Sequence, residues 1–297
     1  MNVAQINNVT KTFGKTHAVN DLSFEVRKGE IFGLLGPNGA GKTTCIRLML
    51  DIFKPDRGTI SILGGAMSEE KKDRIGYLPE DRGLYQDIPL ERCLVYLGTL
   101  KGLSSSEARK RVTPFLEKFD LSLHKKKKIK ELSKGMQQKA QIIATLLHQP
   151  ELIIIDEPFS GLDPVNTQMV KDMIRNLRNQ GTTILMSTHQ MRQVEELCER
   201  ILLINEGRGV LYGKLEDIQR QHTGSDLYVR IDGSLPPLPC VLQIASYNKG
   251  YKLTLGEGIS SQEILRALIE RNIRVEQFEI AVPSLDEIFI RTVKKVG

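Results

Sequence analysis

The residues of this chain with the most evident chemistry are Gly36-Pro37-Asn38-Gly39-Ala40-Gly41-Lys42-Thr43. They fit G-x-x-x-x-G-K-[ST], a loop that cradles phosphates. A polyphosphate needs its charge met by donors held in place. Glycines let backbone N–H groups turn inward without a Cβ clash, and a helix N-terminus adds partial positive charge. Lys42 is expected to reach the β- and γ-phosphates and Thr43 to ligate Mg²⁺. Gly36, Pro37, Asn38, Gly39, Ala40, Gly41 and Thr44 would wrap the nucleotide. The context fits: the apolar run Ile31–Leu35 precedes the loop, and the helix-like stretch Thr44–Leu50 follows it.

Four further groups carry chemistry. Leu152-Ile153-Ile154-Ile155-Asp156-Glu157 is an apolar strand ending in two carboxylates. Asp156 can hold the Mg²⁺ shell, and Glu157, pointing elsewhere, can activate a water. Ser133 and Gly135 open a helix N-terminus, a ready anion site, although an ordinary N-cap explains them equally well. Ser160-Gly161-Leu162-Asp163-Pro164 reads as a turn and cap. Ser187-Thr188-His189 follows an apolar strand, where a polar side chain faces the ligand crevice of an open α/β sheet. A lone histidine is otherwise more often structural.

The elements that must position these groups follow from periodicity. Val3 to Val9, Leu22 to Val26 and Thr59 to Leu63 read as strands, with turns at Gly14 and Pro55–Gly58. From about 85 to 150 the pattern is helical, with Leu90, Leu94 and Leu97 on one face and Ala108, Val112, Phe115, Leu116 and Phe119 on another; Ser106 is placed as the cap of the second helix. Helix and strand then alternate through Thr167–Arg178, Thr182–Met186, Met191–Cys198 and Ile201–Ile204, which implies a doubly wound sheet with a helical insert. Past residue 222 the pattern changes. Leu227, Val229 and Ile231 alternate as in a half-buried strand, Pro236–Pro239 breaks regular structure, and Ser260-x-x-Glu263 and Ser284-x-x-Glu287 are capping boxes. The expectation is an α/β fold in two parts, 1–221 and a small α/β domain at 222–297 with three or four strands and two helices.

In order and spacing these motifs resemble the ATPase subunits of ABC transporters over about residues 3–221. The match runs through the phosphate loop (36–43), a signature segment (132–138), the strand with the catalytic glutamate (152–157), the turn at 160–163 and the switch histidine His189. The resemblance implies a P-loop NTPase fold with a mixed, mainly parallel sheet, and ATP and Mg²⁺ as ligands. It implies two such domains, in a homodimer or a heterodimer, packed head to tail around two ATP molecules. Lys42, Thr43 and Asp156 of one copy would face Ser133 and Gly135 of the other. Glu157 and His189 would be catalytic, Asp163 would link the sites, and Phe13 would stack on adenine. Two departures stand out: Lys134 and Met136 replace the usual Gly and Gln of the signature, and Glu80 stands where a Gln usually touches the Mg²⁺ shell, so Glu80 is placed as a metal ligand. Val282-Pro283-Ser284-Leu285-Asp286-Glu287-Ile288-Phe289 resembles the end of sodium- and drug-efflux ATPase subunits, which implies export.

Composition narrows the alternatives. With 40% hydrophobic and 26% charged residues the chain is globular. No run of eighteen apolar residues encodes a span and no signal peptide precedes it, so the resemblance implies a separate transmembrane permease and a peripheral location on the cytoplasmic face. Cys45, Cys93, Cys198 and Cys240 lack zinc-site spacing and read as reduced thiols. The absence of Trp and scarcity of aromatics argue against single-stranded nucleic acid bound by base stacking, and with no other support nucleic acid is not expected as a partner. The net charge of +6 lies wholly before residue 222, much of it in Lys125-Lys126-Lys127-Lys128-Ile129-Lys130, a solvated face or an anion-attracting patch. A DNA-acting relative would place long coiled coils between loop and signature, but only about 96 positions separate Gly36 from Leu132 and no heptads are sustained. A ribosome-acting relative would carry two cassettes. A regulatory protein that binds ATP without turnover is disfavoured by Glu157 and His189.

Overall fold

In the computed structural model the chain begins with a long hairpin, β1 (Asn2–Phe13) and β2 (Thr16–Arg27), turning at Gly14. The structure describes every residue except Asp81, Arg82, Ser225, Pro239, Cys240, Glu257 and Gly297. The readings placed on Pro239 and Cys240 lie outside the described residues. β3 (Ile31–Leu35) is buried at all five positions and leads through the phosphate loop into α1 (Lys42–Met49). β4 (Arg57–Ile62), the short α2 (Glu69–Lys72) and β5 (Ile75–Leu78) follow.

A helical segment comes next: α3 (Leu90–Thr99), α4 (Ser105–Lys118) and α5 (Lys134–Leu146). Ser106 is not the cap of α4. Ser104 is, with its hydroxyl accepting from the Glu107 amide at 3.1 Å. Three serines compete here, and the one three residues before Glu107 sits in the extended conformation a cap requires.

The chain then alternates through β6 (Leu152–Asp156), α6 (Pro164–Asn179), β7 (Thr183–Thr188), α7 (Met191–Leu197), β8 (Arg200–Asn205), β9 (Arg208–Lys214) and α8 (Leu215–His222). A six-stranded sheet has the order β5-β6-β7-β3-β8-β9, parallel from β5 to β8, with β9 antiparallel at the edge. β6 and β7 are buried throughout, as strands covered on both faces must be. β7 runs two residues beyond the expected Met186, because Ser187 pairs with Asp156 and Thr188 with Leu35. A separate antiparallel sheet, β2-β1-β4, packs with β3 and α1 around one apolar core that includes Ile6, Leu22, Phe32, Ile46 and Met49.

The chain divides into two compact units, Met1–Leu215 and Glu216–Gly297. The second contains β10 (Leu227–Ile231), β11 (Val241–Tyr247), β12 (Gly250–Leu255), α9 (Ser261–Glu270), β13 (Val275–Ile280) and α10 (Leu285–Val296). Its four strands form one antiparallel sheet, β11-β12-β10-β13. Leu227, Val229 and Ile231 face Leu253, Leu255, Ile264 and Leu268 in its own core. Ser260 and Glu263 form both halves of a capping box, and the Glu287 amide donates to Ser284 Oγ. Among the described residues no helix is long and apolar enough to cross a membrane.

Candidate nucleotide site

The phosphate loop is held in shape by close approaches that exclude side chains. A Cβ on Gly41 (φ +108°) would lie 2.2 Å from the Ala18 carbonyl oxygen, and one on Gly36 (φ +150°) would lie 2.2 Å from that of Ile204. The hairpin β1–β2 and the end of β8 therefore press directly on the loop backbone, and only glycine admits them. The Gly207 amide donates to the Ala40 carbonyl at 2.9 Å, fixing the loop from the β8–β9 turn.

The loop borders a cavity of about 570 Å³, within the range of small-molecule sites. Asn38, Gly39, Gly41, Lys42, Thr43, Thr44, Glu80 and Glu157 line it. Thr16, His17, Ala18, Glu206 and Gly207 complete the lining, and sequence reasoning had not identified them. The Glu206-Gly207 dipeptide carried a turn signal after Ile201–Ile204. The hairpin residues carried none, because sheet packing brings them there.

Lys42 is buried. Its ammonium donates to the carbonyls of Gly36 at 2.8 Å and Pro37 at 3.2 Å, and lies 3.7 Å from Glu157 Oε1. An ammonium has three donors, and these contacts aim them along the cavity wall. Thr43 Oγ1 donates to Asp156 Oδ2 at 3.1 Å, while the Ser187 hydroxyl donates to Asp156 Oδ1. Two hard oxygen donors thus converge at the start of α1, while no cluster of three or more His, Cys, Asp or Glu side chains suited to a metal occurs among the described residues. That donor set fits Mg²⁺, which takes one or two protein oxygens and completes its shell with phosphates and water.

Glu157 follows β6 in the left-handed region (φ 49°), a strained position for a non-glycine residue. It is buried, and both its oxygens are engaged. Oε1 accepts from the His189 backbone amide at 3.0 Å and lies 2.9 Å from His189 Nδ1; Oε2 accepts from Thr188 Oγ1 at 3.0 Å. An ionised carboxylate only accepts, so the proton of a neutral His189 ring sits on Nδ1 and leaves Nε2 as an acceptor. The carboxylate is thereby oriented beside the cavity, as a group that takes a proton from water must be.

The remaining expected residues lie elsewhere. Phe13 is 45% exposed, edge-on to Phe53 at 5.3 Å, and is not among the lining residues. Ser133 caps α5 by accepting from the Met136 amide, and Asp163 caps α6 by accepting from the Asn166 amide at 2.9 Å. The Asn166 bonds hold the Asp163 carboxyl below the usual carboxylate range. Asn166 also joins the two caps, since its Nδ2 lies 3.2 Å from where a Gly135 Cβ would be. Ser133, Gly135 and Asp163 therefore form a second cluster that does not line the cavity of the same chain. Burial pushes the Cys45 thiol up to about 12 and raises Cys93 and Cys198, so these three cysteines stay protonated and take no part in the chemistry.

Known proteins share the sequence and the fold. A family model described as ABC transporter matches residues 19–160. An ABC transporter ATP-binding protein of Bacillus subtilis, YhaQ, is 43% identical over 98% of both chains. The chain belongs to the ABC transporter ATPases. This ABC ATPase is 31% identical to the linearmycin resistance ATP-binding protein LnrL of B. subtilis, over 96% of each chain. It is 34% identical to the Nod factor export ATP-binding protein I of Burkholderia lata, over 96% of this chain and 94% of that one. A solved structure of an ATP-binding subunit of an ABC transporter superposes with a TM-score of 0.69 at 34% identity, covering 74% of this chain and 93% of the other. The model of the DrrA1-3-like C-terminal domain matches residues 213–293. The protein is thus an ATP-binding, ATP-hydrolysing transporter subunit.

Proposed function

We propose that this ABC ATPase drives export through a separately encoded transmembrane permease, by closing two copies around two Mg·ATP. Export is favoured by the names of its relatives, which concern linearmycin resistance and Nod factor export. The absence, among the described residues, of any helix able to span a membrane fits a peripheral subunit that borrows its permease.

The observation that carries the two-copy reading is the separation of the two clusters. Lys42, Thr43, Glu80 and Glu157 share one cavity, while Ser133 and Gly135 open the N-terminus of α5, an anion-suited surface beside Asp163 that the same cavity does not use. A second copy would supply Ser133 and Gly135 to the γ-phosphate from the opposite side. One helix N-terminus cannot surround a phosphate alone. Within each site Lys42 turns from its loop carbonyls to the β- and γ-phosphates, and Phe13 stacks on the adenine. Thr43 and Asp156 would hold Mg²⁺, which would supply positive charge against the phosphates, and Glu80 would add a further carboxylate. Glu157 takes the proton of the attacking water. His189, held through Nδ1 by Glu157, is the residue that holds the γ-phosphate. Phosphate release removes the shared anion, and the copies part.

The test is complementation. Lys42→Ala and Ser133→Arg are each expected to lack turnover alone. Mixed, they form one intact site per mixed pair, from the Lys42 of one chain and the Ser133 of the other, and turnover returns. A mixture as inactive as its components would rule out the shared site.

A further inference from the structure

Five cations of the helical segment take no part in lining the nucleotide cavity. Between Ser122 and Glu131, in the connection from α4 to α5, Lys125, Lys126, Lys127, Lys128 and Lys130 stand against one glutamate, a net +4 in a chain whose total is +6. All five lysines are exposed. Their backbone is clamped. The Leu90 and Glu91 amides donate to the Lys127 and Lys125 carbonyls at 2.9 and 3.0 Å, and the Ile129 and Lys130 amides donate to those of Ile88 and Gln86 at 3.1 and 3.0 Å. Leu121 and Ile129, both fully buried, anchor the run to the core. The one glutamate is tied to backbone, since Glu131 Oε2 accepts from the Lys128 amide at 2.7 Å. Lys130 lies 2.6 Å from Asp87, whereas among the described residues no carboxylate is within ion-pair distance of Lys125, Lys126, Lys127 or Lys128. Like charges held together repel, so the fold itself gains nothing from this arrangement. In the same connection Leu123 is 95% exposed.

We propose that this connection docks on an anionic lipid surface, with the lysine ammoniums among the headgroup phosphates and Leu123 inserted beneath them. Charge complementarity selects the occupant. An anionic leaflet attracts each lysine near it, and peripheral binding strengthens with buried apolar area added to that attraction. All five cations are lysine and none is arginine. A lysine is a point charge on a flexible stem and follows mobile headgroups, whereas a fixed pattern of protein carboxylates favours the arginine fork. An acidic protein surface would also leave Leu123 in water, while the layer below the headgroups takes it. The run holds no Trp, Tyr or Phe to stack on bases. The inference rests on the peripheral location proposed above and names the surface that achieves it: lipid, and not the permease alone, holds the helical segment at the membrane.

The experiment is flotation of the full chain, without nucleotide, on vesicles of phosphatidylcholine alone and of phosphatidylcholine mixed equally with phosphatidylglycerol. Binding is expected only to the mixed vesicles, and it weakens as salt rises. The combined Lys125→Gln, Lys126→Gln, Lys127→Gln, Lys128→Gln variant should lose affinity by about 10²-fold or more, at roughly fivefold for each lysine. Gln at Lys28, Lys54, Lys214 and Lys249, also exposed, removes the same charge elsewhere and should leave affinity within about threefold of wild type, because distant charges are screened. Leu123→Ser should lower it about tenfold with the net charge unchanged. ATP turnover of the Lys125–Lys128 variant, measured in parallel, should equal that of wild type, so a failure of the ATP-driven reading and a failure of this one are separate results. Equal losses in the two four-lysine variants, equal binding to both kinds of vesicle, or an unchanged Leu123→Ser would overturn the proposal. So would a wild-type chain that binds neither vesicle, which would leave the lysines for an acidic surface of another protein.

Discussion

The two units of this chain use their interiors differently. The first buries Glu30, Lys42, Asp156, Glu157, Lys171 and Arg200, while among the described residues the second buries no charged side chain. Burying charge is costly unless it is paired, and each of these has a partner: Arg200 lies 3.2 Å from Glu30, Lys171 donates to Glu196 at 2.5 Å, Lys42 faces Glu157, and Asp156 takes two hydroxyls. Arg200–Glu30 and Lys171–Glu196 do not border the cavity, so a buried ion pair alone does not mark a site. Chemistry is marked by buried charge with a free path to a cavity beside a glycine-built loop. The second unit has an apolar core and a bare edge, so what it does happens at its surface.

This contrast can be broken in graded steps. Lys42→Ala should have the largest effect, lowering ATP turnover by about 10²–10³-fold by removing the charge aimed at the phosphates, while the thermal stability of the C-terminal unit is unchanged. An activity loss under tenfold would mean Lys42 is structural. Leu268→Ala is the mirror experiment. It empties a fully buried site in the C-terminal core and should cost that unit about 3 kcal/mol, read by urea unfolding, with nucleotide binding retained. If binding falls as steeply as stability, the units are not independent.

Glycines sharpen the comparison at smaller scale. Gly41→Ala sets a Cβ 2.2 Å from the Ala18 oxygen and should cost about 2–4 kcal/mol together with ATP affinity. Gly233→Ala, at φ +95° with open space around it, should cost only about 1–2 kcal/mol and leave binding alone. Equal costs would show that crowding at the loop is relieved by movement of the hairpin. The smallest effect concerns acid. Burial lowers the His148 pKa to about 4, its Nε2 lying 3.1 Å from the Ile75 carbonyl oxygen. The native state then holds His148 neutral where the unfolded chain protonates it. Stability that is full above pH 6.5 is lost as pH falls toward 4. His148→Gln should flatten this slope in a melting-temperature profile, and an unchanged slope would assign the acid sensitivity to other groups.

The sequence revealed what is local. The phosphate loop, Asp156 and Glu157, the α5 cap at Ser133 and the boxes at Ser260 and Ser284 all depend on spacing within a few residues, and spacing is visible without a fold. Contacts made by the sheet were not visible. Thr16, His17 and Ala18 reach the cavity because the hairpin packs on Gly41, and β9 was missed because the Glu206-Gly207 turn folds it back onto β8. The adjacent serines 104–106 misled for a local reason: any of them can cap, and only the three-residue distance to Glu107 decides. Nor do strand positions in the C-terminal unit disclose that β11 and β13 are the edges of its sheet.

The most direct test of the account is nucleotide-dependent dimerisation of Glu157→Gln, read by light scattering on the full chain. The substitution keeps shape but removes the proton acceptor, so bound ATP persists. The account predicts a monomer that doubles its mass with Mg·ATP, does not with ADP, and fails to when Ser133→Arg is added. A variant that binds ATP with full affinity and remains monomeric, or one that dimerises despite Ser133→Arg, would contradict the shared nucleotide site.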